Sequence, residues 1–191
     1  MKAMIMLALA AALAVPPAAA PKVPCLIRTT AGDIAIEVYP GKAPLTAANF
    51  LRYVDAGLYD GTTFFRVVTP GKQPDSPVKI EVIQGGDVAE DKCFPAIPHE
   101  TTEMTGLRHL DGVVSMARAE PGSATSSFFI CVNDQPELDF GGRRNPDGQG
   151  FAAFGRVTAG METVKKIQYM EAEGQYLKKP VRIISIRRQN P

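Results

Sequence analysis

The amino-acid sequence predicts a mainly β fold, either an antiparallel barrel or a sandwich, for three reasons. Short apolar stretches rich in β-branched and aromatic residues recur along the chain, separated by Gly, Pro and Asp. Only two segments have the apolar spacing of a helix, and strands do not alternate with helices as they do in parallel sheets. With 191 residues, 45% of them hydrophobic and 21% charged, the chain suits one globular domain.

The first two strands are predicted in residues 25–39, as a hairpin. In its second half Ile34, Ile36 and Val38 alternate with other residues, which is the period of a half-buried strand. The last strand is predicted near the end of the chain, and the break in its alternation at Ile183–Ile184 indicates a bulge.

Two helices are predicted between the strands. The first begins at Pro44, because the first turn of a helix tolerates proline, and it ends before Gly57, a natural helix stop. The second is expected at Met161–Tyr169. The apolar stripe of the first helix is interpreted as core and consists of Ala47, Phe50, Leu51 and Val54.

Two further apolar strands each contain one polar residue, Arg66 in the first and Gln84 in the second. Side chains two positions apart point the same way in a strand, so Arg66 is expected on the face of Phe64 and Val68. By the same spacing Gln84 shares the face of Val82. A buried unpaired charge is costly, so Arg66 either reaches solvent at a strand edge or meets a partner or ligand.

Three segments are predicted to be loops. The insert Thr69–Lys79 contains three prolines and several charges, and residues 88–111 contain further breakers. Residues 138–150 are rich in glycine, and we expect them to border the site. This last loop lacks the Lys-Ser/Thr pair of a phosphate-binding loop and the acidic spacing of a calcium-binding loop.

The N-terminal segment has the layout of a secretory signal peptide. A positive start at Lys2 precedes the apolar run MIMLALAAALAV and a small, Pro-rich stretch. The run is too short for a membrane-spanning helix, which needs about 20 residues. Cleavage after Ala20 and cleavage after Ala14 both remain open. We therefore expect residues 1–20 to be a signal peptide, residues 21–191 to be the mature domain, and the protein to be periplasmic or secreted.

Export would place the cysteines in an oxidising compartment. Cys131 lies in the apolar stretch FFICV and is interpreted as a small buried hydrophobic residue. Cys25 and Cys93 lie in looser, Pro-flanked sequence, and the sequence leaves open whether they form a disulfide.

Composition argues against several other functions. A net charge of +1, without a basic run longer than a pair, argues against nucleic-acid binding. The two histidines, His99 and His109, lie in polar sequence and are interpreted as turn or surface residues. The chain shows neither the ligand clustering of a zinc site nor the GxSxG motif of a Ser-His-Asp hydrolase.

Four sequence blocks follow one another in a fixed order: FFRV, IQGGD, Ser115–Asp134 and FAAFGRV. Their order and spacing resemble the cyclophilin family of peptidyl-prolyl isomerases, and the resemblance extends from Cys25 to the end of the chain. It implies an eight-stranded antiparallel barrel capped by two α-helices.

The resemblance also implies the residues of the site. Arg66 and Gln84 match the family's catalytic arginine and the glutamine that helps to hold the substrate backbone. Six further positions match substrate-binding residues: Val82, Met116, Ala117, Arg118, Phe129 and Leu138. Among them, Phe129 corresponds to the aromatic floor of the proline pocket, Leu138 to a side wall and Met116 to support below.

Isomerisation of an X–Pro bond requires no nucleophile, metal or cofactor, and we expect none. Twisting the bond breaks amide conjugation, which gives a barrier of about 18–20 kcal/mol. In the twisted state the prolyl nitrogen regains a lone pair that accepts a hydrogen bond. A fixed guanidinium at Arg66 would therefore stabilise the transition state more than either planar form.

The rim of the implied pocket departs from the family pattern. Glu81 and Val82 stand where Phe and Met are usual, and Glu137 stands where many members have Trp. Further replacements are Phe65 for His, Arg118 for Asn and Ser127 for Gln. We expect catalysis with an altered peptide preference, and weak inhibition by cyclosporin because the rim Trp supports binding of that drug.

The sequence thus predicts an exported, monomeric prolyl isomerase that acts on proline-containing segments of unfolded or flexible proteins. The alternative is a chaperone or binding module of the same fold that grips such segments without catalysis. The presence of Arg66 favours the enzyme. A small-ligand barrel of the lipocalin type would give no reason for the arginine or for the IQGGD block.

Overall fold

A computed structural model describes residues 21–189 of the chain, and the predicted signal peptide at residues 1–20 lies outside this range. The described part contains nine strands and three α-helices. The strands are β1 (Val23–Thr29), β2 (Gly32–Val38), β3 (Thr63–Val68), β4 (Val82–Gly85), β5 (Val113–Met116), β6 (Phe128–Cys131), β7 (Ala152–Ala159), β8 (Ala172–Glu173) and β9 (Tyr176–Arg188). The helices are α1 (Pro44–Asp55), α2 (Thr102–Thr105) and α3 (Met161–Gln168).

Eight of the strands form a closed antiparallel barrel, as predicted. The hydrogen-bonded order is β1-β2-β7-β5-β6-β4-β3-β9, and β9 pairs with β1 to complete the circle. The two-residue strand β8 pairs with β9 alone, as one arm of a hairpin. Every pairing in the barrel is antiparallel. Closure of the barrel removes the exposed strand edges that an open sheet would leave.

The predicted bulge in the last strand is confirmed. Arg28 of β1 faces Ser185 of β9, whereas the next residue, Thr29, faces Ile183. Ile184 is therefore the extra residue of β9, and its side chain is exposed. The bulge explains why two consecutive isoleucines occupy the part of β9 that pairs with β1.

The two longer helices agree with the sequence prediction and pack on the barrel. α1 contacts β7 and β9, and α3 contacts β2, β3 and β4. The whole predicted stripe of α1 is buried in the same apolar cluster as the inward-facing strand residues. Phe50 of that stripe lies 4.9 Å from the ring of Phe154 and 5.5 Å from that of Phe128, centroid to centroid.

The N-terminus of α1 is capped by a residue from another segment. The buried carboxylate of Glu100 accepts hydrogen bonds from the backbone N–H groups of Leu45 (3.2 Å) and Thr46 (2.7 Å). It also accepts from the Thr46 hydroxyl at 2.6 Å. A negative charge at this end of a helix is favourable because the first N–H groups lack partners within the helix.

α2 is the helix that the sequence prediction missed, and it is a single turn of four residues. Thr101 caps it by accepting a hydrogen bond from the Met104 N–H, and Gly106 ends it with a left-handed φ of +68°. These cap residues are readable in the sequence, but one turn is too short to show an apolar period. No helix in residues 21–189 is long and apolar enough to cross a membrane.

All three cysteines belong to the described part of the chain, and all three are free. The disulfide that the sequence left open between Cys25 and Cys93 is therefore not formed. Cys25 is buried in β1, whereas Cys93 is half-buried and lies 3.7 Å from the hydroxyl of Ser126. Cys131 is fully buried, as predicted.

Candidate active site

The candidate site lies on the outer face of the barrel, where β3, β4 and β6 run side by side. Alternation along β6 places Phe128 and Ile130 in the interior cluster and Phe129 and Cys131 in a second apolar cluster outside the barrel. Val82 of β4 belongs to the same outer cluster. A cleft of about 210 Å³ opens above it. This outer cleft is lined by Arg66, Ile80, Val82, Gln84, Ala117, Arg118, Phe129, Leu138, Arg144, Asn145 and Phe151.

A β-bulge in β3 directs Arg66 into the outer cleft. Phe64 faces Gly85 of β4 while Arg66 faces the adjacent Gln84, so Phe65 is the extra residue. Phe64 is consequently in the interior cluster, whereas Arg66 lines the cleft outside. The expectation that Phe64 and Arg66 share a face was wrong, because spacing of two holds only in a strand without a bulge.

The glycines of the IQGGD block allow the close packing behind this bulge. A Cβ on Gly85 would lie 2.7 Å from the ring of Phe64 and 2.7 Å from the Thr63 carbonyl oxygen. Gly86 has a φ of +79°, which side chains rarely tolerate. A larger residue at Gly85 would push β4 away from β3 and separate Gln84 from Arg66, whereas one at Gly86 would collide with the rings of Phe128 and Tyr59.

Two glutamines hold the guanidinium of Arg66. Its Nη1 donates to Gln84 Oε1 at 2.8 Å, while Nε and Nη2 donate to Gln175 Oε1 at 3.0 and 2.5 Å. The amide nitrogen of Gln175 donates in turn to the Lys72 carbonyl at 3.2 Å, which fixes the direction of its oxygen. Gln175 lies in the β8–β9 turn, and the sequence analysis missed it because only the tertiary fold brings it to Arg66.

Burial lowers the pKa of Arg66 from its ordinary value, an effect that nearby Tyr176 partly offsets. An arginine remains protonated at neutral pH even so. No ion pair among residues 21–189 includes Arg66. The guanidinium is therefore a fixed positive charge whose partners are neutral.

The floor of the outer cleft is aromatic and is formed by Phe129. The ring of Phe129 stacks on His109 with centroids 5.9 Å apart and meets Phe151 edge-on at 5.3 Å. Leu138 is buried beside it. Met116, which was predicted to support the pocket from below, does not line the outer cleft: its side chain is buried in the interior cluster, because β5 points it into the barrel.

His109 is buried, which contradicts its interpretation as a turn or surface residue. Its Nδ1 lies 2.7 Å from Asp139 Oδ1, and its Nε2 lies 2.9 Å from Ser115 Oγ. The three residues have the order of a hydrolase triad, but Ser115 has no exposed surface from which to attack a substrate. We assign this set to support of the Phe129 ring. His99 is half-buried, and burial lowers its pKa.

Arg118 is bound to the loop of residues 138–150. Its guanidinium donates to Asp147 at 2.8 and 2.9 Å and to the Gly150 carbonyl at 2.8 Å. The hydrogen bonds from Arg118, followed by one from a backbone N–H, lower the pKa of Asp147 to about 2. The Arg118 side chain thus builds the wall of the cleft, and the charge it carries is neutralised by Asp147.

The opposite wall joins the insert Thr69–Lys79 to the same loop. Nη1 of Arg144 donates to Gln73 Oε1 (3.0 Å), Ser76 Oγ (2.7 Å) and the Val78 carbonyl (2.7 Å). Gln73 itself is buried, so the insert is an exposed loop with one packed anchor. Arg144 was not among the predicted site residues, because nothing in its local sequence relates it to the insert.

The rim position Glu137 turns away from the outer cleft. Its carboxylate pairs with Arg143 at 2.6 Å, and it lines a larger cavity of about 820 Å³ between α2 and residues 136–143. That cavity contains no counterpart of the fixed Arg66 above an aromatic floor. We therefore assign the site to the smaller outer cleft.

Comparison with known proteins agrees with this geometry. The family model for "Cyclophilin type peptidyl-prolyl cis-trans isomerase/CLD" matches residues 25–188. Peptidyl-prolyl cis-trans isomerase A of Dickeya dadantii is 39% identical over 168 residues, covering 84% of this chain and 80% of the relative. Peptidyl-prolyl cis-trans isomerase B of Escherichia coli is 36% identical over 143 residues, covering 73% and 80% respectively.

Solved structures share the fold. A cyclophilin type peptidyl-prolyl cis-trans isomerase of Cryptosporidium parvum superposes with a TM-score of 0.68 at 20% identity, covering 90% of this chain and 99% of that one. The same protein determined in the presence of the dipeptide Ala-Pro gives a TM-score of 0.66 at 21% identity, covering 88% and 99%.

Proposed function

Because the chain belongs to the cyclophilin-type peptidyl-prolyl cis-trans isomerases, we propose that the outer cleft is where it rotates X–Pro bonds and that Arg66 is its catalytic residue. One observation carries this proposal. A guanidinium fixed by two neutral amides stands at the edge of a cleft whose floor is apolar and aromatic.

The proline ring of the substrate would lie on Phe129, against Leu138 and Val82. These side chains are buried and closely packed, so they orient the ring without hydrogen bonding to it. Held in this way, the ring stays still while the preceding carbonyl rotates. Arg66 then donates to the prolyl nitrogen as its lone pair develops, an interaction that the planar amide does not offer.

Gln84 and Gln175 have different roles in this mechanism. The Oε1 of Gln84 accepts from Arg66, which leaves its amide N–H groups to donate to a substrate carbonyl in the cleft. Gln175 has both ends of its amide occupied, by Arg66 and by the Lys72 carbonyl. We therefore assign Gln84 to substrate binding as well as to orientation of Arg66, and Gln175 to orientation alone.

The test is exchange between cis and trans forms of a short X–Pro peptide, followed by NMR, with the mature protein, Arg66→Ala and Arg66→Lys. We expect rapid exchange with the wild type and a loss of at least about a hundredfold in kcat/KM with Arg66→Ala. Arg66→Lys tests geometry, because lysine keeps the charge and loses the planar fork. Wild-type exchange no faster than buffer, with peptide still bound, would leave only the non-catalytic binding module.

We also propose that the protein is exported and assists the folding of other exported proteins as a monomer. The export part of this proposal rests on the composition of residues 1–20, whose positive start and apolar run are those of a signal peptide. N-terminal sequencing of protein recovered from fractionated cells tests it. A start at residue 15 or 21 in the periplasmic or secreted fraction supports export, and an intact Met1 in the cytoplasmic fraction contradicts it.

A further inference from the structure

The outer cleft has an unbalanced charge. Among the described residues that line it are three arginines, Arg66, Arg118 and Arg144, and neither Asp nor Glu. Asp147 neutralises Arg118 from the wall. No ion pair among residues 21–189 includes Arg66 or Arg144. Two positive charges thus face the space in which the peptide would lie.

Arg144 retains donors that the protein does not use. Its Nη1 makes all of its hydrogen bonds to the insert, whereas Nε and Nη2 find no acceptor within residues 21–189. A guanidinium presents its N–H groups as a planar fork that matches the two oxygens of a carboxylate. One edge of Arg144 therefore anchors the wall, and another edge is available to a ligand.

Two further observations point to a missing acceptor on this wall. Burial, followed by repulsion from Arg66, lowers the pKa of Arg144 from its ordinary value, and the attraction of a nearby anion would oppose this shift. The side-chain amide nitrogen of the adjacent Asn145 is buried without an acceptor in the described part of the chain. Donors thus exceed acceptors where the cleft meets residues 144–145.

We propose that the outer cleft selects peptides that carry a carboxylate side chain, Asp or Glu, within two residues of the proline, and that Arg144 binds this carboxylate. The inference rests on the proposed function, since it names the substrate class of the same site. It also gives a role to the insert Thr69–Lys79, whose oxygens hold Arg144 at the cleft.

The experiment compares matched peptides in which Glu or Gln occupies either of the two positions before the proline or either of the two positions after it. A neutral peptide with Ala at these positions gives the basal rate. We expect kcat/KM for Glu to exceed that for Gln about tenfold at one position, the effect of one charge-assisted hydrogen bond. The preference should weaken as salt is added.

Three variants test whether Arg144 is responsible for the preference for a carboxylate. In Arg144→Gln, which removes the charge, we expect the ratio of kcat/KM for the Glu peptide to that for the Gln peptide to fall to about one. Arg144→Lys should retain part of it. Arg143→Gln is the matched control, because this neighbour is exposed and pairs with Glu137 outside the cleft. We expect its ratio of kcat/KM for the Glu and Gln peptides to equal that of the wild type. Thermal unfolding of each variant shows whether the walls remain folded.

The outcomes separate the inference from the proposed function. Catalysis of the Ala peptide with equal rates for Glu and Gln at every position overturns the carboxylate preference and leaves the isomerase intact. A preference that persists in Arg144→Gln also overturns the assignment. If no peptide is isomerised, the proposed function fails, and titration of the same peptides by NMR still decides whether Glu binds more tightly than Gln through Arg144.

Discussion

In the proposed mechanism, Gln175 acts on the reaction through Arg66, without contacting the reacting atoms. It accepts from two nitrogens of Arg66 and is itself fixed by the Lys72 carbonyl. In Gln175→Ala we expect kcat to fall about tenfold with little change in KM, because Arg66 loses orientation while the peptide keeps its apolar contacts. Steady-state isomerisation kinetics test this. Glu173→Ala, exposed in the same hairpin, is the control, and an equal loss there would contradict the assignment.

Glu137 is the residue at which we expect drug binding to differ from the family. The resemblance places a Trp here in many members, whereas this carboxylate pairs with Arg143 and faces away from the outer cleft. Cyclosporin should therefore inhibit the wild type weakly, and Glu137→Trp should bind it at least about tenfold more tightly, as burial of an aromatic ring allows. A dose titration of isomerase activity measures both. Tight inhibition of the wild type would refute this expectation.

The cysteines should differ in reactivity, because the thiolate is the reactive form. Burial raises the pKa of Cys25 to about 11 and that of Cys131 well above its ordinary value, while Cys93 is half-buried. We expect one thiol to react with an aromatic disulfide reagent in the native protein and all three after unfolding. Cys93→Ser should abolish the early reaction. Two fast thiols in native protein would show that one of the buried strands opens.

At the scale of elements, α1 depends on a residue that lies about fifty positions away. Glu100 supplies the cap that Ala43 and Pro44 cannot. We expect Glu100→Ala to lower the free energy of unfolding by about 1–3 kcal/mol, since it leaves buried N–H groups without acceptors. Denaturant titration measures the loss. Glu103→Ala, in which the exposed carboxylate of α2 is removed, should change the free energy much less, and equal losses would argue against the cap.

The sequence predicted elements well where their signal is local. The stripe of α1 and the bulge at Ile184 follow from spacing within one segment, and both are confirmed. The bulge at Phe65 was missed because it is defined by the register of β3 against β4, which single-strand patterns do not contain. α2 was missed because it is a single turn, which is too short to show the periodic spacing of apolar residues by which a helix is predicted.

At the scale of the whole molecule, the site residues that could be predicted are those that lie in the four sequence blocks shared with the family. Arg66, Gln84 and Phe129, which were predicted from these blocks, line the same outer cleft. Gln175 and Arg144 come from a turn and a loop without sequence signals, and only barrel closure and the contact between two loops bring them to the cleft. The same holds for His109, whose polar neighbours in sequence gave no sign that its ring is buried beneath Phe129.

Barrel closure by β9 has a consequence for the order of events during synthesis. β9 pairs with both β1 and β3 and is made after every other strand, so a nascent chain on the ribosome carries two open strand edges until residues 176–188 emerge. Contacts between such distant segments form slowly. The barrel therefore locks only when β9 has paired on both of its sides, with β1 and with β3.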